Sequence, residues 1–231
     1  WSAGSKGRID YVVDLAKNTD MNAVVIDIKD FSGQIAYNTS VPEVDLYGAE
    51  SIRIWNIESL IRRLHEEGIY VIARVTVFQD PLLAQARPDL AVHSNIKLEQ
   101  AELSEETLWT DYKGLAWIDP SSEEAWNYTV AIARDAASQG FDEINFDYVR
   151  FPSDGDLSDM NFPAWDLKEP KHVVLRNFFA YLGAHLPDIT ISADLFGLAA
   201  ANTWDDMGIG QILEDTFLHF DFISPMVYPS H

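Results

Sequence analysis

The strongest constraint on the fold is an alternation of two hydrophobic periods. Residues 5–18 carry Ile9, Val12, Val13 and Ala16 at the i, i+3, i+4, i+7 spacing of a helix buried on one side. Residues 23–29 (Ala-Val-Val-Ile-Asp-Ile-Lys) then read as a β-branched strand. The exchange repeats with a helix over 55–68 before a strand over 69–78, and with a helix ending near Ser138 before a strand within 140–152. A helix over 171–185 precedes a strand over 189–195, and a short helix over 207–217 precedes a last strand over 222–227. Between them lie three polar excursions, at about 30–51, 79–121 and 151–169. Helices alternating with strands imply parallel strands joined by right-handed crossovers.

The series opens on a helix with no strand before it and closes on a strand with no helix after it. The expected fold is therefore α/β, a (β/α)₈ TIM barrel, typically of about 250 residues, without its first strand and its last units. A doubly wound sheet is the alternative, but no Gly-x-Gly-x-x-Gly or Gly-Lys-Ser/Thr loop follows any strand. No repeat or linker divides the chain, so residues 1–231 are read as one domain. The 47% hydrophobic composition is enough for one large core. The chain opens on Trp1 rather than Met, as a trimmed or processed chain does.

Charge narrows the function. With 16 basic against 37 acidic residues and a formal charge of −21, the chain lacks the cationic footprint that nucleic acid or an anionic membrane requires. The absence of cysteine excludes disulfides, thiol catalysis and cysteine-bound zinc. No apolar run approaches the roughly 20 residues of a membrane span. His65, His172, His185 and His219 lie in or beside helices, and neither His-x-His nor His-Glu-x-x-His occurs, so no zinc site is expected. Gly-x-Ser-x-Gly is absent as well.

Strands alternate their faces, which makes Asp147 conspicuous at the end of Glu143-Ile144-Asn145-Phe146-Asp147. Both faces of a parallel strand are ordinarily apolar. Placing the other strands in the phase of Asp147 puts Val25, Asp27 and Lys29 on the same side, with Arg74 and Thr76, Asn145, Ser192 and Asp194, and Ser224, Met226 and Tyr228. In a barrel this is the mouth at the carboxyl ends of the strands, where such enzymes keep their chemistry. Asp27, Asp147 and Asp194 are a conceivable Mg²⁺ set, but the two cations beside them oppose it, and no metal or cofactor is expected.

Paired carboxylates in a deep mouth suit cleavage of a glycosidic bond, one protonating the leaving oxygen and the other attacking or stabilising the oxocarbenium-like centre. Arg74, Lys29 and Arg150 are expected to hold Asp147 ionised. Asp194, among Ala193, Leu195 and Phe196, is the better acid. Asp27, Lys29, Arg74, Asn145, Arg150, Trp117 and Tyr228 are the expected substrate-binding set. Tyr37, Tyr47, Trp109, Tyr112, Trp165 and Trp204 in the excursions offer further flat faces to sugars. The alternative is a non-catalytic carbohydrate-binding module, in which the same acids only hydrogen-bond sugar hydroxyls.

Four segments, Val25-Ile26-Asp27-Ile28-Lys29-Asp30, Ala116-Trp117-Ile118-Asp119-Pro120, Phe146-Asp147-Tyr148-Val149-Arg150-Phe151-Pro152 and Ser224-Pro225-Met226-Val227-Tyr228-Pro229-Ser230-His231, closely resemble the putative glycosyl hydrolase domain family known as domain of unknown function 4015. The resemblance implies a glycoside-hydrolase-like TIM barrel, hydrolysis of a glycosidic bond in a polysaccharide or cell-surface glycan, and a bacterial or archaeal protein that is exported or surface-attached. It also implies a family pattern that continues beyond His231. In amylase-like barrels the nucleophilic Asp follows the fourth strand, the place Asp147 takes once a first strand is counted. The acid after the fifth strand is usually Glu, and Asp194 departs from that.

Overall fold

The computed structural model describes residues 2–228. A seven-stranded, mostly parallel sheet organises them. Its strands are β1 (Ala23–Lys29), β2 (Ile35–Tyr37), β3 (Glu50–Ile54), β4 (Tyr70–Thr76), β6 (Glu143–Asp147), β8 (Ile191–Phe196) and β9 (Phe222–Met226). They lie in the order β3-β2-β1-β4-β6-β8-β9, and β5 (His93–Ser94) and β7 (Met160–Asn161) form a separate antiparallel pair. Only the β1–β2 pairing within the large sheet is antiparallel. Helix α1 (Lys6–Asn18) precedes β1, and the longer helices between strands are α3 (Ile57–Glu66), α6 (Glu123–Ser138) and α7 (Lys171–His185). Short helices α2 (Pro42–Leu46), α4 (Pro81–Ala86), α5 (Asn95–Leu98) and α8 (Leu213–Thr216) lie in the connections.

One face of the sheet is sealed by helices. Ile144, Phe146, Val75 and Ala193 point into it and are almost wholly buried, against Ile61 and Leu64 of α3 and Leu175, Phe178 and Phe179 of α7. Phe178 packs at a tilt between Phe78 and Trp126, with ring centroids 4.9 and 5.7 Å away, and burying a ring of that size contributes about 2–3 kcal/mol. The opposite face carries Val25, Asp27, Arg74, Asp147, Asp194 and Phe222, and Val25 and Phe222 are 56% and 57% exposed. Among the described residues β3 and β9 are unpaired edges, so the sheet is an open segment of a β/α barrel.

Residues 30–51 add structure beyond the sequence reading. Asp30 turns the chain by accepting from the amide and hydroxyl of Ser32, and Gly33 closes the turn with its amide on the Asp30 carbonyl. Gly33 sits at φ +83°, and a Cβ there would stand 2.2 Å from Asp80 Oδ1. The chain returns as β2, joined to β1 at the single register pair Lys29–Ile35, and β3 follows parallel to β2.

A bulge in β1 sets apart one residue of the expected inward face. Asp27 pairs with Arg74, but Lys29 pairs with Val75, so one extra residue enters between them. Lys29 thereby joins the face of Val75, beneath the helices. It is 2% exposed, its Nζ donates to the Thr76 carbonyl and meets Asp80 Oδ2 at 2.7 Å, and it lies 5.9 Å from the Tyr128 ring of α6. Lys29 is a core cation paired to Asp80, and it does not serve Asp147.

The two later excursions are one structure. The β5–β7 pair joins them, and the buried Asp119 carboxylate accepts from the amides of Ser121, Ala164 and Trp165. His93 is sealed between Thr107 Oγ1 and the Pro88 carbonyl. The amides of Val77 and Phe78 donate to the carbonyls of Asp147 and Tyr148, so this layer grows from the carboxyl ends of β4 and β6.

Candidate active site

The site forms where β4, β6 and β8 end together. Arg74 leaves β4 beside Asn145, and its guanidinium meets three carboxylates: Nη1 bonds Asp27 Oδ1 at 2.7 Å, Nη2 bonds Asp147 Oδ2, and Nε lies 3.5 Å from Asp194 Oδ2. Asp147 and Asp194 therefore share one side of the sheet and one counter-ion. Burial works against the charge of Arg74, but its hydrogen bonds and ion pairs to Asp27 and Asp147 outweigh it and hold the guanidinium above its ordinary pKa.

The two acids sit in different surroundings. Asp147 is 2% exposed, with Oδ1 accepting from the Tyr148 amide at 2.6 Å. Tyr148 adopts φ +55°, a conformation that costs a non-glycine residue about 1–3 kcal/mol and that clusters at functional sites. Asp194 is less enclosed, and Oδ1 accepts from Asn145 Nδ2 at 3.1 Å, the same amide that reaches Ser192 Oγ at 3.0 Å. Burial, opposed by the Asn145 bond and assisted by the charge of Asp147, raises the Asp194 pKa above the usual carboxyl value. The pair thus offers one carboxylate held by a cation and one carboxyl biased toward its protonated form.

Arg74, Asp147 and Tyr148 open onto a cavity of about 650 Å³, whose other walls include Arg150, Phe196, Leu198, Val227 and Tyr228. Gly197 lets the turn after β8 lie against β9, since a Cβ there would stand 2.4 Å from the Met226 carbonyl. Gln211 ties the wall together, accepting from the Phe196 amide and donating to the Val149 carbonyl.

The residues expected from the sequence fall into two groups in the structure. Asp147, Asp194, Arg74, Asn145 and Asp27 form one cluster of hydrogen bonds and ion pairs, and Arg150 and Tyr228 line the adjoining cavity. Lys29 lies in the core. Trp117 is 1% exposed and presents no face to a sugar; its ring stacks on the Arg150 guanidinium at 4.8 Å while its Nε1 donates to Asp111. Tyr37 and Trp109 are likewise buried, their polar atoms held by Asp135 and the Asp156 carbonyl. Tyr112 and Trp204 are the exposed rings of that group, at 82% and 84%. Tyr148, Phe196, Leu198 and Val227 are wall residues absent from the expected binding set; the signal for the first three was their place one to four residues after a strand-end acid. Pro229, Ser230 and His231 of the last matching segment lie outside the described residues.

Residues 1–231 match the sequence family described as "putative glycosyl hydrolase domain". The chain belongs to this family. Among solved structures it is similar to a hypothetical protein from Ruminiclostridium thermocellum, at 35% identity and a TM-score of 0.75, over 90% of this chain and 96% of that one. It also resembles a Thermus thermophilus α-galactosidase at 14% identity and TM-score 0.54, over 95% of this chain and 40% of that one. A Flavobacterium johnsoniae chitobiase resembles it at 12% identity and TM-score 0.57, over 94% of this chain and 35% of that one. The family member thus spans well under half of each glycosidase, and at these identities the likeness is one of fold. Among curated proteins no sequence matches it. No helix among the described residues is long and apolar enough to cross a membrane.

Proposed function

We propose that the domain hydrolyses a glycosidic bond of a glycan, with Asp147 as nucleophile or base and Asp194 as the acid that protonates the leaving oxygen. The observation that carries this reading is the meeting of two strand-end carboxylates at one guanidinium, beside a cavity, in a chain of a glycosyl hydrolase family. Arg74 opposes the charge of Asp147, and Asn145 fixes the rotamer of Asp194. Burial biases Asp194 toward carrying the proton the leaving group takes. Tyr228 and Leu198 provide apolar surface for the sugar beside the cleaved bond.

A second reading draws on a specific contact: both oxygens of Asp147 are already engaged, one by Arg74 and one by the Tyr148 amide. A group so held suits hydrogen bonding to sugar hydroxyls in a binding module that cleaves nothing. A panel of bacterial glycans incubated with the wild type and with Asp147→Asn separates the two. Hydrolysis predicts that the substitution lowers the cleavage rate by about a thousandfold or more while glycan binding persists. Binding without cleavage by either protein establishes the module instead.

A further inference from the structure

Arg150 is a buried cation that no described carboxylate contacts; Asp154, Asp147 and Asp111 act on it only through space. It is 7% exposed, and among the described residues it forms no ion pair, in a chain with 37 acidic and 16 basic residues. Other enclosed cations of the same molecule are neutralised: Lys29 by Asp80, Arg74 by Asp27 and Asp147. Removing a charge from water without a counter-charge is costly, and the cost is tolerated where the charge is needed.

The surroundings of Arg150 fix its orientation. Its guanidinium lies 4.8 Å from the Trp117 ring, 4.9 Å from Phe196 and 5.5 Å from Tyr148, so aromatic faces hold it. Nη1 donates to the Phe151 carbonyl at 3.0 Å and to Ser153 Oγ at 2.9 Å, which anchors one end. Nε and Nη2 donate to no described residue, and neither is sealed among the buried polar atoms that lack partners. Arg150 also lines the cavity that holds Asp147. The open edge is the fork of two parallel N–H groups that matches a carboxylate.

We propose that Arg150 binds a carboxylate substituent on the sugar seated beside Asp147 and Asp194, so that the site takes acidic, uronate-type glycans in preference to neutral ones. This deepens the reading of the cavity as a carbohydrate site and rests on it. A neutral sugar leaves the Nε–Nη2 edge without an anion, whereas a carboxylate supplies both the charge and the two acceptors.

Calorimetric titration of the intact protein with methyl glucuronide and methyl galacturonide, each against its neutral methyl glycoside, tests the assignment. The acidic member of at least one pair is expected to bind roughly tenfold or more tightly, the scale of a charged two-point hydrogen bond. Arg150→Gln is expected to abolish that preference, bringing the acidic and neutral members of the pair to equal affinity. Arg150→Lys is expected to keep part of it, since charge survives without the fork. Equal affinity for acid and neutral partners in the wild type, or no binding of either acid, overturns the proposal. So does a preference that persists in a folded Arg150→Gln protein. Tighter binding of methyl glucoside 6-sulfate than of the glucuronide overturns the carboxylate assignment. If Arg150→Gln does not fold, the wild-type ratio and Arg150→Lys decide. Binding is read without turnover, so an acid preference in a protein that cleaves no glycan upholds this inference while the hydrolase reading fails.

Discussion

Arg74 is the residue on which the site's electrostatics turn, because three acids share its charge. Arg74→Met leaves Asp27, Asp147 and Asp194 facing one another without a cation. The expected cost is about 2–3 kcal/mol in urea denaturation, below that of a fully buried pair because the arginine side chain is 30% exposed. Asp194 gives a pH signature of its own. Its folded pKa is raised, first by burial, so between the ordinary carboxyl value of about 3.9 and the raised one the folded state binds more protons than the unfolded state. Its contribution to stability is therefore largest at low pH and is lost as pH rises through that window, a slope that Asp194→Asn should flatten in denaturation measured against pH. Glycan cleavage should fall over the raised pKa as the acid loses its proton, and that limb of the rate profile should vanish in any residual activity of the same variant. Strand alternation alone was enough to bring Arg74, Asn145, Asp147 and Asp194 to one face, since β4, β6 and β8 keep an unbroken period of two. Lys29 was misplaced for the opposite reason: one inserted residue inverts a side chain, and no local pattern in Ala-Val-Val-Ile-Asp-Ile-Lys marks it.

The elements that were legible are those whose burial is written in their own periodicity. Helices α3, α6 and α7 and strands β1, β4, β6 and β8 each carry an apolar face buried on a neighbouring layer, and β9 alternates in the same way with Ile223 only partly covered. Strands β2 and β3 were not legible, because three residues joined to β1 through one register pair leave no pattern. What specifies them is distant: the Asp30 turn, the fit of Gly33 against Asp80, and the Lys29–Asp80 pair. Gly33→Ala, with its Cβ directed into Asp80 at positive φ, is expected to destabilise the fold by about 2–4 kcal/mol in urea. Lys29→Met strands Asp80 in the core and should cost about 3–5 kcal/mol, whereas Lys29→Met with Asp80→Asn should recover much of that loss. Recovery is expected because asparagine can still accept the Leu83 amide that caps α4 at Asp80. Equal losses in the single and double variants would show that the ion pair is not the link between β1 and the segment after β4.

At the scale of the whole molecule, the sheet divides the chain into a sealed face that folds it and an open face that carries the carboxylate cluster. Phe146 and Asp147, adjacent in sequence, belong to the two different jobs. The loop layer of residues 79–121 and 151–169 supplies little of the carboxylate cluster itself; it holds Trp117 behind Arg150 and so shapes the cavity. The central claim is that Asp147 and Asp194, joined through Arg74, act on a bond as one unit. The direct measurement is the rate of glycan cleavage for Asp147→Asn, Asp194→Asn and the double variant against the wild type. Groups that act as a unit are strongly non-additive, so the double variant should cleave within about threefold of the slower single one. Losses that multiply in the double variant, or a single substitution that leaves the rate unchanged, would contradict the pairing.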